Sequence, residues 1–413
     1  MGLSFLKHVL FKNFVALTTL QGINLILPFI TLPYLARVLG VSNYGVVAMV
    51  YSIMQLLFVL CDYGFNLSAT KEISLHRNSP SKVNTIFSSI ICIKTILLLL
   101  TLLILLILTF SVPTINSHKT AYFMGFGMVI GQSITPIWLF QGMEKMKYIT
   151  IVNLVSKLTF TVFIFVLIRS SGDYIYVPLL YSIGFVLAGI LSLYFAYREF
   201  GVKFLMPRRQ EIKEQLNTST QYFFSRASVA AYTSSNNFVV GLVLGNYYAG
   251  IFGVAEKLYT AMTVIYSPLS DAFYPYMVQK RNLKLFKKVL LGAVLLNLAV
   301  AFMTYVYAEE IIYFVFSEGY AESALLLRYF CFLAIIIVPA TFIGYPLLGA
   351  FGLEKFANYS VVFACTVHLI ILMSIHAYLT IYTMVLLLIF TQIIVFSIRI
   401  IGVRKFLKRY NNN

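Results

Sequence analysis

The sequence predicts an all-α membrane protein of about twelve transmembrane helices, arranged as two pseudo-symmetric six-helix bundles. Three observations carry that prediction. The apolar runs are too long for a soluble core, the loops between them alternate in charge, and a set of motifs recurs once along the chain. Of 413 residues, 60% are hydrophobic and 11% charged, where a soluble domain carries roughly 25% charged residues. Residues 86–110 hold a single charge, Lys94. A hydrocarbon core of ~30 Å needs about 20 apolar residues in a helix. Helices close their own backbone hydrogen bonds and are therefore the default spanning form. A barrel is excluded because these runs do not alternate polar and apolar positions.

The expected spans are 14–39, 44–66, 86–110, 121–140, 149–168, 174–197, 219–244, 249–277, 289–307, 324–351, 356–376 and 381–403. Loops on the side of the N-terminus hold 23 basic residues and the opposite loops hold three, Arg37, Lys119 and Arg169. Short cytoplasmic loops attract Lys and Arg, so this asymmetry puts both termini in the cytoplasm. It also favours an even number of crossings. Residues 1–14 lack a small-residue cleavage site, so the first apolar segment is expected to act as an uncleaved anchor.

The halves repeat. Val38-Leu39-Gly40 recurs as Val243-Leu244-Gly245, Asp62 and Lys71 as Asp271 and Lys280, and Pro136 with Gly142 as Pro346 with Gly352. The order is the same in both halves, and the offset drifts by only five residues, from 205 to 210. Six helices per half give both halves the same orientation, a parallel repeat of the kind transporters use. The expected organisation is an N-terminal bundle over 1–200, a basic cytoplasmic connector over 201–218 and a C-terminal bundle over 219–413. Within the connector, residues 210–216 suggest a short interfacial helix.

Charges inside a bilayer are costly and mark functional candidates. Lys94, Lys157, Arg226, Lys257 and Arg328 lie within spans, as do Asp62, Glu256 and Asp271. Five embedded cations point to an anionic substrate. Arg328 is near the start of its span, where a local partner or snorkelling explains it. Helical spacing puts Tyr222, Arg226, Thr233 and Asn237 on one face, Gln21 and Asn24 with Pro28 and Thr31 on another, and Thr150, Asn153, Lys157 and Thr161 on a third. Such stripes line a hydrated cavity or act as polar glue between helices. The substrate-binding candidates are Arg226, Lys94, Lys157, Lys257, Gln21, Asn24 and Asn237. The gating or ion-coupling candidates are Asp62, Glu256 and Asp271. Prolines at 28, 33, 136, 268, 275, 339 and 346 are candidate kinks.

Other classes find no support. Five scattered histidines and four cysteines in apolar stretches offer no metal spacing, and no phosphate-binding Walker loop is present. No cofactor, no metal and no catalytic residue is expected. The net charge of +17 sits in topology-setting loops, which argues against nucleic acid as a partner.

Several stretches resemble O-antigen flippases, the Wzx-type polysaccharide transporters. They are Leu32-Pro33-Tyr34-Leu35-Ala36-Arg37 through Gly40 and Tyr44-Gly45, Asp62-Tyr63-Gly64-Phe65-Asn66 with Ala69-Thr70-Lys71-Glu72, Trp138-Leu139-Phe140-Gln141-Gly142, and Phe224-Ser225-Arg226 with Asn236-Asn237 and Ala255-Glu256-Lys257. The resemblance covers nearly the whole chain. It implies the multidrug/oligosaccharidyl-lipid/polysaccharide (MOP, MATE-like) exporter fold, with two bundles around a cavity that opens alternately to each side of a bacterial inner membrane. The implied substrate is undecaprenyl-pyrophosphate-linked oligosaccharide, with membrane lipid, an O-antigen polymerase and a chain-length regulator as partners. Lys94 and Lys157 match no motif of the family. The alternatives are a flippase for another carrier-linked glycan, such as capsule or common antigen, a multidrug or ion-coupled exporter on the same fold, and an O-antigen polymerase. A polymerase needs a large periplasmic loop, and here those loops are short.

Overall fold

Backbone groups inside a bilayer have no water to bond, so each apolar run closes its hydrogen bonds along a helix. Among the described residues every regular element is helical. The computed structural model describes the backbone of residues 2–411, and the side chains apart from 1–26, 28–29, 225, 268, 271–272, 275 and 408–413. The chain forms two compact units, Met1–Ala230 and Ala231–Asn413.

The first unit opens with α1 (Gly2–Asp62), a run that breaks at Gly40. Gly40 has φ 73° and ψ 170°, which a side chain would strain. This bend, and not Pro28 or Pro33, separates the first two expected spans. The helices that follow are α2 (Phe65–His76), α3 (Pro80–Ser111), α4 (Pro113–Asn116), α5 (Lys119–Gly125), α6 (Gly127–Ile134), α7 (Ile137–Gly142), α8 (Met146–Leu167), α9 (Tyr176–Glu199) and α10 (Arg209–Thr233). Pro136 has no N–H to continue α6, and Thr135 turns extended before it. The Thr135 hydroxyl folds back and donates to the Gly131 carbonyl at 2.7 Å. Trp138, Phe87, Phe65 and Ile73, all fully buried, form the core between α2, α3 and α7. Two of the family-like stretches meet there, with the Thr70 hydroxyl 3.1 Å from Gln141 Oε1.

The second unit contains α11 (Asn236–Leu244), α12 (Asn246–Val264), α13 (Tyr266–Lys280), α14 (Leu283–Val306), α15 (Ala308–Val315), α16 (Glu322–Phe342), α17 (Glu354–Ile375) and α18 (Ile381–Asn411). Gly245, between α11 and α12, has φ 95° and ψ 171°, close to the geometry of Gly40. After α16 the chain widens into a π-helix, Ile343–Gly349, with Gly344 non-helical and Pro346 inside. Thus the segments around Pro136 and Pro346 are both interrupted. The core here is Phe342, Leu348, Met277 and Phe286.

Nine helical segments among the described residues are long and apolar enough to cross a membrane, against twelve expected. The difference has a physical reason. The span expected at 14–39 has most of its side chains outside the description. Those expected at 219–244 and 249–277 correspond to α10 to α13, which carry Ser, Thr, Asn, Tyr and charged residues in place of a continuous apolar run.

The stretch 210–216 is not a separate interfacial helix. It is the first part of α10, which docks on α2. Gln215 Nε2 donates to Glu72 Oε2 at 2.6 Å, the Ser68 and Ser219 hydroxyls are 2.7 Å apart, and the hydroxyls of Tyr63 and Thr220 are 3.1 Å apart. The Tyr63 ring stacks on Phe223 at 4.7 Å. The turn that allows this approach has left-handed φ at Tyr63 and Gly64, 46° and 78°. At the neighbouring α7–α8 turn, Arg77 pairs with Glu144 at 2.9 Å. The Arg77 hydrogen bond holds that carboxyl below its usual range. Both groups are well exposed, so the pair contributes ~0.5 kcal/mol at most.

The α2–α10 contact sets a prediction. A Ser68→Cys/Ser219→Cys double variant should form a disulfide under mild oxidation, since the two side-chain oxygens already touch. Mass spectrometry of the linked peptides reads it. Absence of the link in correctly inserted protein would refute the docking.

Candidate functional site

Lys94 has no acidic residue anywhere in its own helix α3, so an ammonium there needs a counter-ion from another element. Asp62, at the end of α1, supplies it. Lys94 Nζ is 3.4 Å from Asp62 Oδ1, and both side chains are about 5% exposed or less. Cys61 extends the contact. Its thiol donates to the Lys94 carbonyl at 3.5 Å and accepts from the Ser133 hydroxyl at 2.9 Å. A substrate-binding candidate and a gating candidate are therefore one buried pair joining α1 and α3. Such a pair repays its desolvation only while intact, and losing one partner costs about 3–5 kcal/mol.

Arg226 sits differently. It is exposed on α10 and makes no hydrogen bond or ion pair with the described residues. The helix ends at Thr233, with Ser234 and Ser235 interrupting it before α11. Arg226 and Asn237 therefore lie on different helices, and helical spacing does not carry a face from one to the other. Asn237 is buried, and its Nδ2 donates to the Ala249 carbonyl at 3.0 Å, which ties α11 to α12.

The stripe on α8 is continuous. Asn153 donates to Ile149 O at 2.9 Å. One turn on, Lys157 is half-buried and makes no hydrogen bond or ion pair with the described residues. The buried hydroxyls of Ser156 and Thr161 also have no hydrogen-bond partner among the described residues. Buried polar groups are almost always satisfied by protein, water or ligand, so this face of α8 suits water or a polar ligand.

On α12, Glu256 and Lys257 are half-buried neighbours, and the Tyr259 ring stacks on Phe330 at 5.1 Å. Gln21, Asn24 and Asp271 lie outside the described side chains. Arg328 has the local partner its position suggested, with Nη2 3.0 Å from Glu309 Oε1 and Nε donating to Tyr305 O at 3.2 Å.

One residue escaped the sequence reading. The charge pattern counts Arg399 with the cytoplasmic loop cations, yet it is part-buried in α18. Its Nη1 donates to Ala340 O at 2.6 Å and its Nε to Ser360 Oγ at 3.2 Å. Only the missing carboxylate within reach along its own helix could have flagged it.

The Lys94–Asp62 geometry gives a second prediction. Lys94→Met or Asp62→Leu alone should destabilise the protein by on the order of 3 kcal/mol, read as a lower melting temperature in detergent. The double variant should recover most of that loss. Equal stability of all four proteins would remove the pair from any structural role.

Comparison with known proteins follows this geometry. A family described as "Polysaccharide biosynthesis protein" matches residues 10–281. A protein of Escherichia coli K12, "Putative O-antigen transporter", is 30% identical over 69% of each chain. A protein of Shigella dysenteriae with the same name is 25% identical, over 93% of this chain and 97% of its own. Among solved structures, an inward-facing multidrug resistance MATE family transporter of the MOP superfamily superposes with a TM-score of 0.68. It is 15% identical, over 96% of this chain and 98% of its own. The likeness shows the fold, the all-helical arrangement of MATE family proteins.

Proposed function

Because the chain belongs to the polysaccharide biosynthesis protein family, and its relatives are transporters, we propose that it is a flippase for O-antigen units. The cargo on this reading is undecaprenyl-pyrophosphate-linked oligosaccharide, moved from the cytoplasmic to the periplasmic leaflet of the bacterial inner membrane by alternating access. The MOP fold, the O-antigen transporter relatives and the cationic interior support it. A flippase for another carrier-linked glycan has the same chemistry, and the sugar is unspecified by these residues. The partners are the carrier lipid, bulk membrane lipid, and an O-antigen polymerase with its chain-length regulator.

Arg226 carries the proposal. It is an exposed guanidinium, unpaired among the described residues, on a helix too polar for a lipid environment. Pyrophosphate offers several acceptor oxygens, and the planar fork of Arg binds two of them at once. Lys157 supports it as a half-buried cation beside unsatisfied hydroxyls, and Lys257 with Glu256 adds a second polar stretch on α12. Gln21, Asn24 and Asp271 remain candidates from sequence, for substrate contact and for gating or ion coupling.

Two outcomes test this. Arg226→Ala should abolish surface polysaccharide in a complementation assay while Arg226→Lys keeps part of it, and Lys157→Ala should show a weaker loss. Normal polysaccharide from Arg226→Ala at normal membrane abundance would overturn the role. For topology, we propose twelve crossings with both termini cytoplasmic. Reporter fusions after Ser117 and Glu318 should read periplasmic, and a cytoplasmic signal at Glu318 would break that scheme.

A further inference from the structure

We propose that Arg399, framed by Tyr232 and Tyr345, is a separate binding site for the phosphate of an anionic lipid headgroup, built entirely within the second unit. On the transport reading above, on which this assignment rests, the headgroup is the carrier pyrophosphate.

The guanidinium is held by one side only. Nε donates to Ser360 Oγ at 3.2 Å and Nη1 to the Ala340 carbonyl at 2.6 Å. Those contacts use two of its five N–H donors. Nη2 makes no hydrogen bond with the described residues. The side chain is thus fixed in place and still has donors to offer, which is the condition for a preorganised anion site. Gly344 makes room for it: a Cβ there would come within 2.9 Å of Nη1.

Charge balance separates this residue from the paired cations of the spans. Lys94 has Asp62 and Arg328 has Glu309. No carboxylate among the described residues pairs with Arg399. The titratable groups within electrostatic reach of it are the phenols of Tyr232, from α10, and Tyr345, from the π-helix, which are neutral at ordinary pH. A buried cation without a counter-ion is unfavourable, and an anionic ligand would supply the missing charge.

Capping a carbonyl near a helix break does not require a cation: before Pro136 the neutral Thr135 hydroxyl donates to the Gly131 carbonyl at 2.7 Å. The Ala340 carbonyl already accepts from the Ile343 N–H, so the guanidinium brings a charge that this contact leaves unused.

The depth identifies the ligand as a headgroup. Arg399 lies roughly 27 Å along α18 from Ile381 at 1.5 Å per residue, near the far edge of a ~30 Å hydrocarbon core. Arg404 and Lys405 follow on the same helix. Lipid phosphates occupy that level. Tyr345 is 49% exposed, and its hydroxyl donates to Asn358 Oδ1 at 2.7 Å, so the approach to the site is polar and open.

The test measures binding of geranylgeranyl pyrophosphate to the purified full chain in detergent. Arg399→Ala should weaken it about tenfold or more, the loss expected for a charged hydrogen bond, and Arg399→Lys should recover part. Gly344→Ala, which keeps the charge but displaces the fork, should weaken binding as well. Thermal melts run beside each variant. A lower melting temperature with unchanged affinity for Arg399→Ala would make Arg399 a helix clamp and overturn the site, leaving the transport reading intact. If the wild-type chain binds no polyprenyl pyrophosphate, the proposed cargo and this site fall together. Excess phosphatidylglycerol distinguishes the sources. Binding that survives it assigns the carrier pyrophosphate, and binding lost to it assigns the bulk phospholipid headgroup.

Discussion

Taking an ionised side chain out of water into hydrocarbon costs several kcal/mol even after local relaxation, about the whole stability margin of many proteins. A membrane protein must therefore give each embedded charge a partner or a polar surrounding. In this chain that requirement sorts side chains that look alike in sequence. Lys94 is spent on Asp62, and Arg328 on Glu309 at the edge of its helix. Arg226 and Lys157 have no such match, and Arg399 is bonded to a neutral carbonyl and a hydroxyl. The five span-embedded cations read as one class in the sequence divide into structural and available groups once their neighbours are known.

The same economy governs the backbone. Each interruption of a span frees a carbonyl or an N–H that lipid cannot satisfy. Side-chain donors gather beside the breaks observed: Thr135 reaches back to Gly131 O, and Arg399 reaches across from another helix to Ala340 O. At Gly40 and Gly245 the chain turns with positive φ, where only glycine is unstrained. The two turns fall at the matching motif positions Val38-Leu39-Gly40 and Val243-Leu244-Gly245.

The fold class was legible because composition and run length in a bilayer leave few choices. The residues of the motifs were legible too, but their reasons were not. Trp138 and Thr70 stand in stretches that resemble flippases, and the structure makes them core and contact residues between α2 and α7. Asn237 was placed on a stripe with Arg226 by counting residues through Ser234 and Ser235, where the helix is interrupted. Helical periodicity carries a face only as far as the helix itself runs. Arg399 was hidden by the opposite error. A basic residue near the end of a span is ordinarily a topology signal, and nothing in its own helix reveals that it turns inward to another helix's carbonyl.

The expected spans that fall short of an apolar crossing deserve the same physical reading. The α10 to α13 region carries Arg226, Glu256 and Lys257 together with many hydroxyl and amide side chains. A helix of that composition is stable at membrane depth only where its polar side meets protein, water or polar cargo. Part of this polarity is structural, as Gln215, Ser219 and Asn237 show, but Arg226 makes no contact of that kind with the described residues. On the proposed function, moving a sugar and its phosphates through hydrocarbon requires a surface that lipid does not cover, and the segments least suited to face lipid are the ones best suited to face that cargo.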